Sequence, residues 1–166
     1  MKRALLFSTM LFVLAIGDVH RLAAQGSSQL AGGWVIASWQ STDGRVDSTP
    51  QRGLFIFTES GHYSIMYVPD DQPRPRWTGT AMTDAEKMAA YDSFIANTGR
   101  YSVQGSDITY EAYIAKNPNY MADFGTPAGN AGTIAFTLQG DPLTLRFMTG
   151  NDAGETATLR RAGPLR

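Results

Sequence analysis

Gly53-Leu-Phe-Ile-Phe-Thr-Glu-Ser-Gly-His-Tyr-Ser-Ile-Met-Tyr67 is the stretch of sequence that decides the fold class. Aromatic and β-branched residues, which favour β-strands, fill its two arms. Ser60 and Gly61 separate the arms with residues that are typical of a tight turn. We therefore predict a β-hairpin of two strands, residues 53–58 and 62–68.

Further strands are predicted on both sides of this hairpin. Each is a short run of β-forming residues bounded by Gly, Asn, Asp or Pro. The runs are residues 34–40, 45–47, 100–103, 107–114, 133–138, 143–149 and 155–161. About eight main strands with short connections predict a closed antiparallel up-and-down β-barrel, because closure removes exposed sheet edges.

A single α-helix is predicted mid-chain, so the fold class is mainly β with one inserted helix. Thr83 is a favourable N-cap, and Glu86 three residues later completes a capping box. Gly99 is expected to end the helix. An apolar stripe at helical spacing is expected to pack on the hairpin strands. That stripe consists of Met88, Tyr91 and Ile95, with Phe94 beside it.

The first 25 residues have the pattern of a secretory signal peptide. Lys2 and Arg3 precede an apolar run from Ala4 to Ile16, which is too short to span a bilayer. Cleavage is expected after Ala24 or Gln25, and an uncleaved membrane anchor is the alternative. We expect an exported bacterial protein, periplasmic or secreted.

Residues 26–166 are predicted to form a single domain. About 140 residues can bury enough apolar surface to fold without disulfides, and the chain has no Cys. The leader holds Lys2, Arg3, Asp18 and Arg21, so its removal reduces 14 basic and 15 acidic residues to 11 and 14. The net charge then changes from −1 to −3. That charge, without a basic stripe, argues against nucleic-acid binding. No membrane span is expected after signal removal, and the oligomeric state stays open.

Three segments resemble the bacterial and fungal lipocalin-like domain family, a calycin-type group. They are the hairpin segment 53–64, the run Arg-Pro-Arg-Trp at 74–77, and Tyr-Asp-Ser-Phe-Ile-Ala-Asn-Thr-Gly-Arg-Tyr-Ser-Val at 91–103. Asn117-Pro118-Asn119 after the next strand is also similar. The resemblance covers about residues 30–163. It implies a barrel for a hydrophobic ligand more than it implies any reaction.

The start of the domain carries a further similarity. Gly32-Gly33-Trp34 is similar to the Gly-x-Trp of lipocalins, where the Trp closes one barrel end under an Arg from a late strand. The resemblance gives that Arg role to Arg160 or Arg161. The chain departs from the family at residues 109–111, where relatives often carry a His, and at residues 130–132, which are compressed. No shared chemistry is therefore carried over to that end of the pocket.

Histidine chemistry is a weak candidate for function. His62 is the only histidine of the mature chain, and a triad would need Ser64 with Asp70 or Asp71. Because His62 follows a tight turn, we expect it to be solvated. One His without Cys leaves few ways to build a metal site, so no metal and no cofactor are expected.

Glu111 is the strongest candidate for a general base. It shares one face of its strand with Thr109 and Tyr113, while Tyr110 and Ala112 share the other face. If the Glu111 face lines the barrel, the buried carboxyl has a raised pKa and can act as a base. If that face meets water, Glu111 is an ordinary surface charge.

The mouth of the barrel is expected to hold the ligand. It would be built from the Pro-rich loop at residues 68–80, the helix, and the loop at residues 117–132. Arg74 and Arg76 in the Pro-rich loop are interpreted either as a lid that meets a ligand anion or as parts of a stiff surface loop. Strand alternation and the mouth loops select eight candidate ligand-binding residues: Ser64, Met66, Trp77, Tyr110, Glu111, Tyr120, Arg146 and Met148.

Three functions are compatible with these sequence patterns. The favoured one is an exported barrel that binds a small hydrophobic or amphipathic molecule. The second is a tailoring enzyme, of cyclase or isomerase type, that uses Glu111 as its base. The third is a structural or interaction protein whose barrel interior is filled with side chains.

Overall fold

The computed structural model describes residues 27–48, 53–68, 73–121, 132–150 and 152–163. These residues form helix α1 (Asp84–Asp92), a 3₁₀ turn (Pro118–Tyr120) and nine strands. The strands are β1 (Gly32–Gln40), β2 (Val46–Asp47), β3 (Gly53–Phe57), β4 (His62–Tyr67), β5 (Ile95–Gln104), β6 (Asp107–Ala115), β7 (Gly132–Leu138), β8 (Leu143–Phe147) and β9 (Thr156–Arg161). The predicted signal peptide lies outside the described residues.

Eight of the strands close into an antiparallel barrel. Their order is β1-β3-β4-β5-β6-β7-β8-β9, and β9 pairs back onto β1. The closing register runs from Trp34 opposite Arg161 to Gln40 opposite Thr156. The short β2 extends the sheet at the end of β1. The predicted fold class, an up-and-down barrel of about eight strands with one helix inserted mid-chain, is confirmed.

Helix α1 begins as predicted and ends earlier than predicted. The Thr83 hydroxyl accepts a hydrogen bond from the Glu86 N–H at 3.2 Å, and the Glu86 carboxylate accepts one from the Thr83 N–H at 2.9 Å. The helix ends at Asp92, so the assignment of its end to Gly99 is wrong. Residues from Ile95 onward pair with β4 instead, because strand pairing in the barrel prevails over a weak helical stripe.

The helix lies outside the barrel and buries none of its own side chains. Met88 is 67% exposed, so the expected packing of the helical stripe on the hairpin is wrong. Among the described residues, no helix combines the length and the hydropathy that crossing a membrane requires.

The two ends of the barrel differ in their connections. At one end, tight turns at residues 58–61, 105–106 and 139–142 join the strands. At the other end lie the longer connections, of which residues 41–48, 68, 73–94, 116–121, 148–150 and 152–155 are described. We call these the closed end and the open end. The Pro-rich loop, the helix and the loop after β6 all attach at the open end, as the sequence predicts for a mouth.

The closed end is sealed by Trp34 and a helical turn at residues 27–30. Trp34 is fully buried, and its indole N–H donates to the Leu30 carbonyl at 2.8 Å. The Arg161 guanidinium lies 4.0 Å above the Trp34 ring. It also donates to the carbonyls of Ala31 at 2.6 Å and Gln29 at 3.0 Å. Arg161, one of the two candidates from the family resemblance, therefore holds the plug in place.

Large side chains fill the barrel from the closed end upward. Inward-facing residues alternate with outward-facing ones along each strand. The largest fully buried side chains of the described residues are Leu30, Trp34, Ile36, Phe55, Ile108, Ile134, Leu143, Leu145 and Leu159. A narrow eight-stranded barrel leaves little more room than such side chains occupy, so any open space must lie near the mouth.

Loss of the Arg161 side chain should destabilise the plug. Arg161→Ala removes a cation–π contact and two charge-assisted hydrogen bonds, so we expect the free energy of unfolding to fall by about 1–3 kcal/mol. Urea denaturation measures this loss. Arg160→Ala is the matched control, because Arg160 is exposed and opposite Val35 on the neighbouring strand. Equal effects of the two substitutions would contradict the role given to Arg161.

Candidate ligand site at the open end of the barrel

A β-bulge in β1 brings Trp39 into the mouth. In the pairing of β1 with β9, Ala37 has no partner residue. Two residues, Ala37 and Ser38, therefore separate the inward-facing Ile36 from the next inward-facing residue, Trp39. Trp39 is then buried, and its ring stacks on Tyr67 with ring centroids 5.1 Å apart. Trp39 thus forms part of the upper layer of the interior.

A second bulge reshapes the other side of the mouth. The pairing of β5 with β6 skips Tyr113, so Ile114 pairs with Thr98 and Ala115 with Asn97. Gly99 is required here, because a Cβ at this position would lie 1.9 Å from the Glu111 carbonyl oxygen. The bulge turns Ile114 outward, where it is 65% exposed.

The two sides of the mouth enclose a cavity of about 200 Å³. Its apolar walls are Ile65, Ile95, Ala96, Ala115, Ile134 and Phe147. Its polar groups come from Tyr67, Asn97, Tyr110, Lys116, Tyr120, Thr149 and Asp152. An apolar hollow with a few convergent polar groups is the usual form of a small-molecule site.

Four tyrosines line this cavity: Tyr91 on helix α1, and three that belong to the barrel strands and the 3₁₀ turn. The Tyr67 hydroxyl donates to an Asp152 carboxylate oxygen at 2.7 Å. The Tyr110 ring lies where a side chain at residue 132 would be, since a Cβ on Gly132 would come within 2.0 Å of that ring. The Tyr120 ring lies over Gly150, 3.4 Å from the position of a Cβ there. Glycine thus makes room for two of the three phenols.

Tyr67 and Tyr110 keep their phenol protons at neutral pH. Burial, followed by the charge of Asp152, raises the pKa of Tyr67 above its ordinary value of 10.0. Burial also raises the pKa of Tyr110, with smaller contributions from Tyr120 and Asp152. Neutral phenols in an apolar wall act as hydrogen-bond partners that carry no charge.

Two buried polar atoms beside the phenols lack a hydrogen-bond partner within the described part of the chain: the Tyr63 hydroxyl and the Asn97 Oδ1. Asn97 lines the cavity directly. Tyr63 lies beneath it, with its ring edge-on to Tyr110 at 5.7 Å between centroids. An unpaired buried acceptor is costly, so Asn97 is a position where a bound molecule can contribute a hydrogen bond.

Charged groups surround the mouth unevenly. Asp152 lines the cavity, and the nearby Glu155 accepts a hydrogen bond from the Trp39 indole N–H at 2.5 Å. The Lys116 ammonium is turned toward two rings, 4.3 Å from the Tyr91 centroid and 5.4 Å from the Phe94 centroid. Tyr91 lines the cavity and Phe94 lines an adjoining groove on the outer surface, so the positive charge of Lys116 lies at the boundary between the two.

The barrel is closed, and the Trp of its Gly-x-Trp segment, Trp34, plugs one end. Arg161, an arginine of the last strand, lies over the Trp34 ring. The chain folds as a lipocalin-like barrel. The expectation from the family resemblance is therefore confirmed for the fold. Its ligand is a separate question, which the barrel alone does not answer.

Comparison with solved structures gives matches of similar architecture. A lipocalin-like protein from Bacteroides uniformis is 19% identical, with a TM-score of 0.48 over 81% of this chain and 99% of that chain. An uncharacterized protein from Bacteroides eggerthii is 15% identical, with a TM-score of 0.46 over 80% and 99%. A protein from Burkholderia xenovorans is 13% identical, with a TM-score of 0.42 over 85% and 89%. No family model and no curated protein matches the chain.

The lipocalin-like barrel places two of the eight predicted ligand-binding residues in its cavity, Tyr110 and Tyr120. Ser64 and Met66 lie on the outer face of β4, where they line the outer groove. Trp77 is 56% exposed in a hollow between the Pro-rich loop and helix α1. The remaining three, Glu111, Arg146 and Met148, also lie outside the lumen.

The interpretation of Glu111 as an interior base is wrong. Its carboxylate accepts two hydrogen bonds from Arg100, at 2.8 and 2.5 Å, on the outer face of the barrel. Tyr110 and Ala112 take the inward positions instead. Glu111 is therefore a cross-strand ion-pair partner, which is the surface alternative left open by the sequence.

The other catalytic and lid candidates are also dispersed. His62 is exposed after its turn, and Ser60 is its hydrogen-bond partner at 3.2 Å. Asp70 and Asp71 lie outside the described residues. Arg74 donates to Ser93 and to the Ala90 carbonyl, both at 3.2 Å, and so fastens the Pro-rich loop to the helix. Among the described residues, no cluster of His, Cys, Asp or Glu is arranged to hold a metal ion.

The predicted set of ligand-binding residues leaves out Tyr67, Asn97 and Asp152. Tyr67 shares its face with Tyr63 and Ile65, so strand alternation indicates that it lines or fills the interior. Asn97 shares its strand face with Gly99 and Tyr101, but the sequence pattern predicts helix as far as Gly99 and so hides this strand. Asp152 lies in a turn, and the residues around it give no indication that the Tyr67 hydroxyl is its hydrogen-bond partner.

A matched pair of substitutions tests the phenol network. Tyr67→Phe removes a hydrogen bond to a carboxylate, so we expect the free energy of unfolding to fall by about 1–2 kcal/mol. Tyr63→Phe removes a hydroxyl that has no partner among the described residues, so we expect a change within about 0.5 kcal/mol or a gain. Chemical denaturation at neutral pH measures both. A larger loss for Tyr63→Phe would contradict this arrangement.

Proposed function

We propose that this lipocalin-like barrel binds a small amphipathic molecule in its open-end cavity. The observation that carries the proposal is the combination of six apolar wall residues with convergent phenol, amide and carboxylate groups at one mouth. An apolar body would contact Ile65, Ile134 and Phe147, while polar atoms would meet Asn97 or the phenols. Such an arrangement orients a ligand as well as holding it.

The cavity volume limits the size of the ligand. A protein cavity of about 150 Å³ accepts a benzene ring, so about 200 Å³ suits one ring with a short substituent. Drug-sized ligands usually occupy about 300–1,000 Å³. Retinoids and polycyclic polyketides are therefore too large for the cavity as described, and small single-ring compounds are the better probes.

Binding is supported over the two alternative functions. A tailoring enzyme was inferred from Glu111, which lies outside the barrel against Arg100. A filled barrel describes only the closed end, where Trp34 and Phe55 leave no space. We also propose that the protein is exported, on the strength of the signal-peptide pattern at residues 1–25.

A cavity-filling substitution tests the proposal. Ala115→Phe places a ring in the mouth, so we expect the affinity for single-ring ligands to fall at least roughly tenfold. Ala135→Phe is the matched control, because Ala135 lies on the outer face of β7 opposite Arg146. Trp39 reports binding, since it stacks within the mouth, and Trp77→Phe as the common background removes an exposed fluorophore.

The expected result is a saturable change in Trp39 fluorescence that Ala115→Phe abolishes and Ala135→Phe retains. Circular dichroism checks that both variants keep the barrel. If a panel of cationic, neutral and anionic single-ring compounds produces no saturable change, the proposal of ligand binding fails. Equal binding by both variants would move the site away from this cavity.

A further inference from the structure

We infer that the open-end cavity takes a small organic cation, an ammonium group carried on an aromatic or short apolar body. The inference rests on the proposed function and assigns the chemical class of its ligand. Three independent features of the mouth support it: its aromatic walls, its carboxylates and its unpaired acceptor.

The first feature is the number of aromatic rings in the lining. Tyr67, Tyr110, Tyr120 and Phe147 all line one cavity of about 200 Å³. Trp39 stacks on two of them, with centroids 5.1 Å from Tyr67 and 5.3 Å from Phe147. Aromatic rings attract ammonium groups, and the attraction is stronger where water is excluded, so this lining favours a cation.

The second feature is the sign of the charge at the mouth. Asp152 lines the cavity, and Glu155 is close enough to contribute to the raised pKa of Tyr67. The single cation on the described lining, Lys116, has its ammonium over the Tyr91 and Phe94 rings. The Asp152 carboxylate accepts its hydrogen bond from the neutral Tyr67 hydroxyl rather than from this cation. An anionic ligand would meet this carboxylate in a low-dielectric mouth, which is unfavourable.

The third feature is the kind of hydrogen-bonding capacity left in the wall. The Asn97 Oδ1 is a buried acceptor without a partner in the described ranges. An ammonium group carries up to three donors and no acceptor. It can therefore donate to the Asp152 carboxylate in a wall that also holds the unpaired Asn97 acceptor, which a carboxylate or an ether ligand cannot do.

Three ligands of one size separate charge from shape: phenethylamine, 2-phenylethanol and phenylacetate. Each has one ring and a short substituent, and at pH 7 they are cationic, neutral and anionic. We expect phenethylamine to bind at least roughly tenfold more tightly than 2-phenylethanol, and phenylacetate to bind most weakly. Titration calorimetry or Trp39 fluorescence measures the three dissociation constants.

Asp152→Asn tests the source of the preference. Asparagine keeps an oxygen that accepts from the Tyr67 hydroxyl and removes the charge, so the preference for the amine over the alcohol should shrink to about threefold or less. Asp107→Asn makes the same charge change at the exposed closed end and should leave the preference intact. Raising the salt concentration provides a readout without mutation, because it should weaken amine binding and leave alcohol binding unchanged.

These outcomes distinguish the inference from the proposed function. If the alcohol or the acid binds as tightly as the amine, the cation inference is overturned while ligand binding stands. If Asp152→Asn and salt leave the preference unchanged, the role of the carboxylate is overturned. If none of the three compounds binds, both the inference and the proposed function fail.

Discussion

The pairing of β9 with β1 is the join that gives the molecule its shape. It runs along β1 from Trp34 to Gln40 and leaves the eight-stranded sheet without a free edge. Closure forces alternate side chains of every strand into one narrow interior. It also brings Arg161 over Trp34, two residues that lie far apart in the chain. The plug, the core and the mouth all follow from this pairing.

Closure produces an interior with two different halves. Near the tight turns, Trp34, Phe55 and Leu145 fill the lumen completely and supply its stability. Near the long connections, the two strand pairs that carry bulges form part of the wall, and phenols take the place of some of the aliphatic side chains. The packed half at the closed end supplies the hydrophobic core of the domain. The half at the open end can therefore keep polar groups and unfilled space. Small ligand sites in narrow barrels are therefore expected at the mouth.

Local signals in the sequence were sufficient for the strands, the turns and the capping box, because each depends on neighbouring residues. These local signals do not show which face of a strand points into the barrel. One extra residue at Ala37 and another at Tyr113 reverse the alternation beyond them, and a bulge is set by the partner strand as much as by its own sequence. Glu111 lies before the Tyr113 bulge, and its outward position follows from the closure of the barrel, which its own strand does not reveal. Asn97 was missed because the helical pattern extends to Gly99 in the sequence.

Methyl NMR of isoleucine-labelled protein can locate the ligand cavity and decide whether it is confined to the open end. Ile65, Ile95 and Ile134 line the cavity, whereas Ile36 and Ile108 lie in the core outside its lining and Ile56 and Ile114 lie on the outer face. On titration with phenethylamine, we expect saturable shifts of the cavity methyls and little change in the other four. Shifts led by Ile56 and Ile114, or no saturable shifts at all, would show that the ligand does not enter the open end.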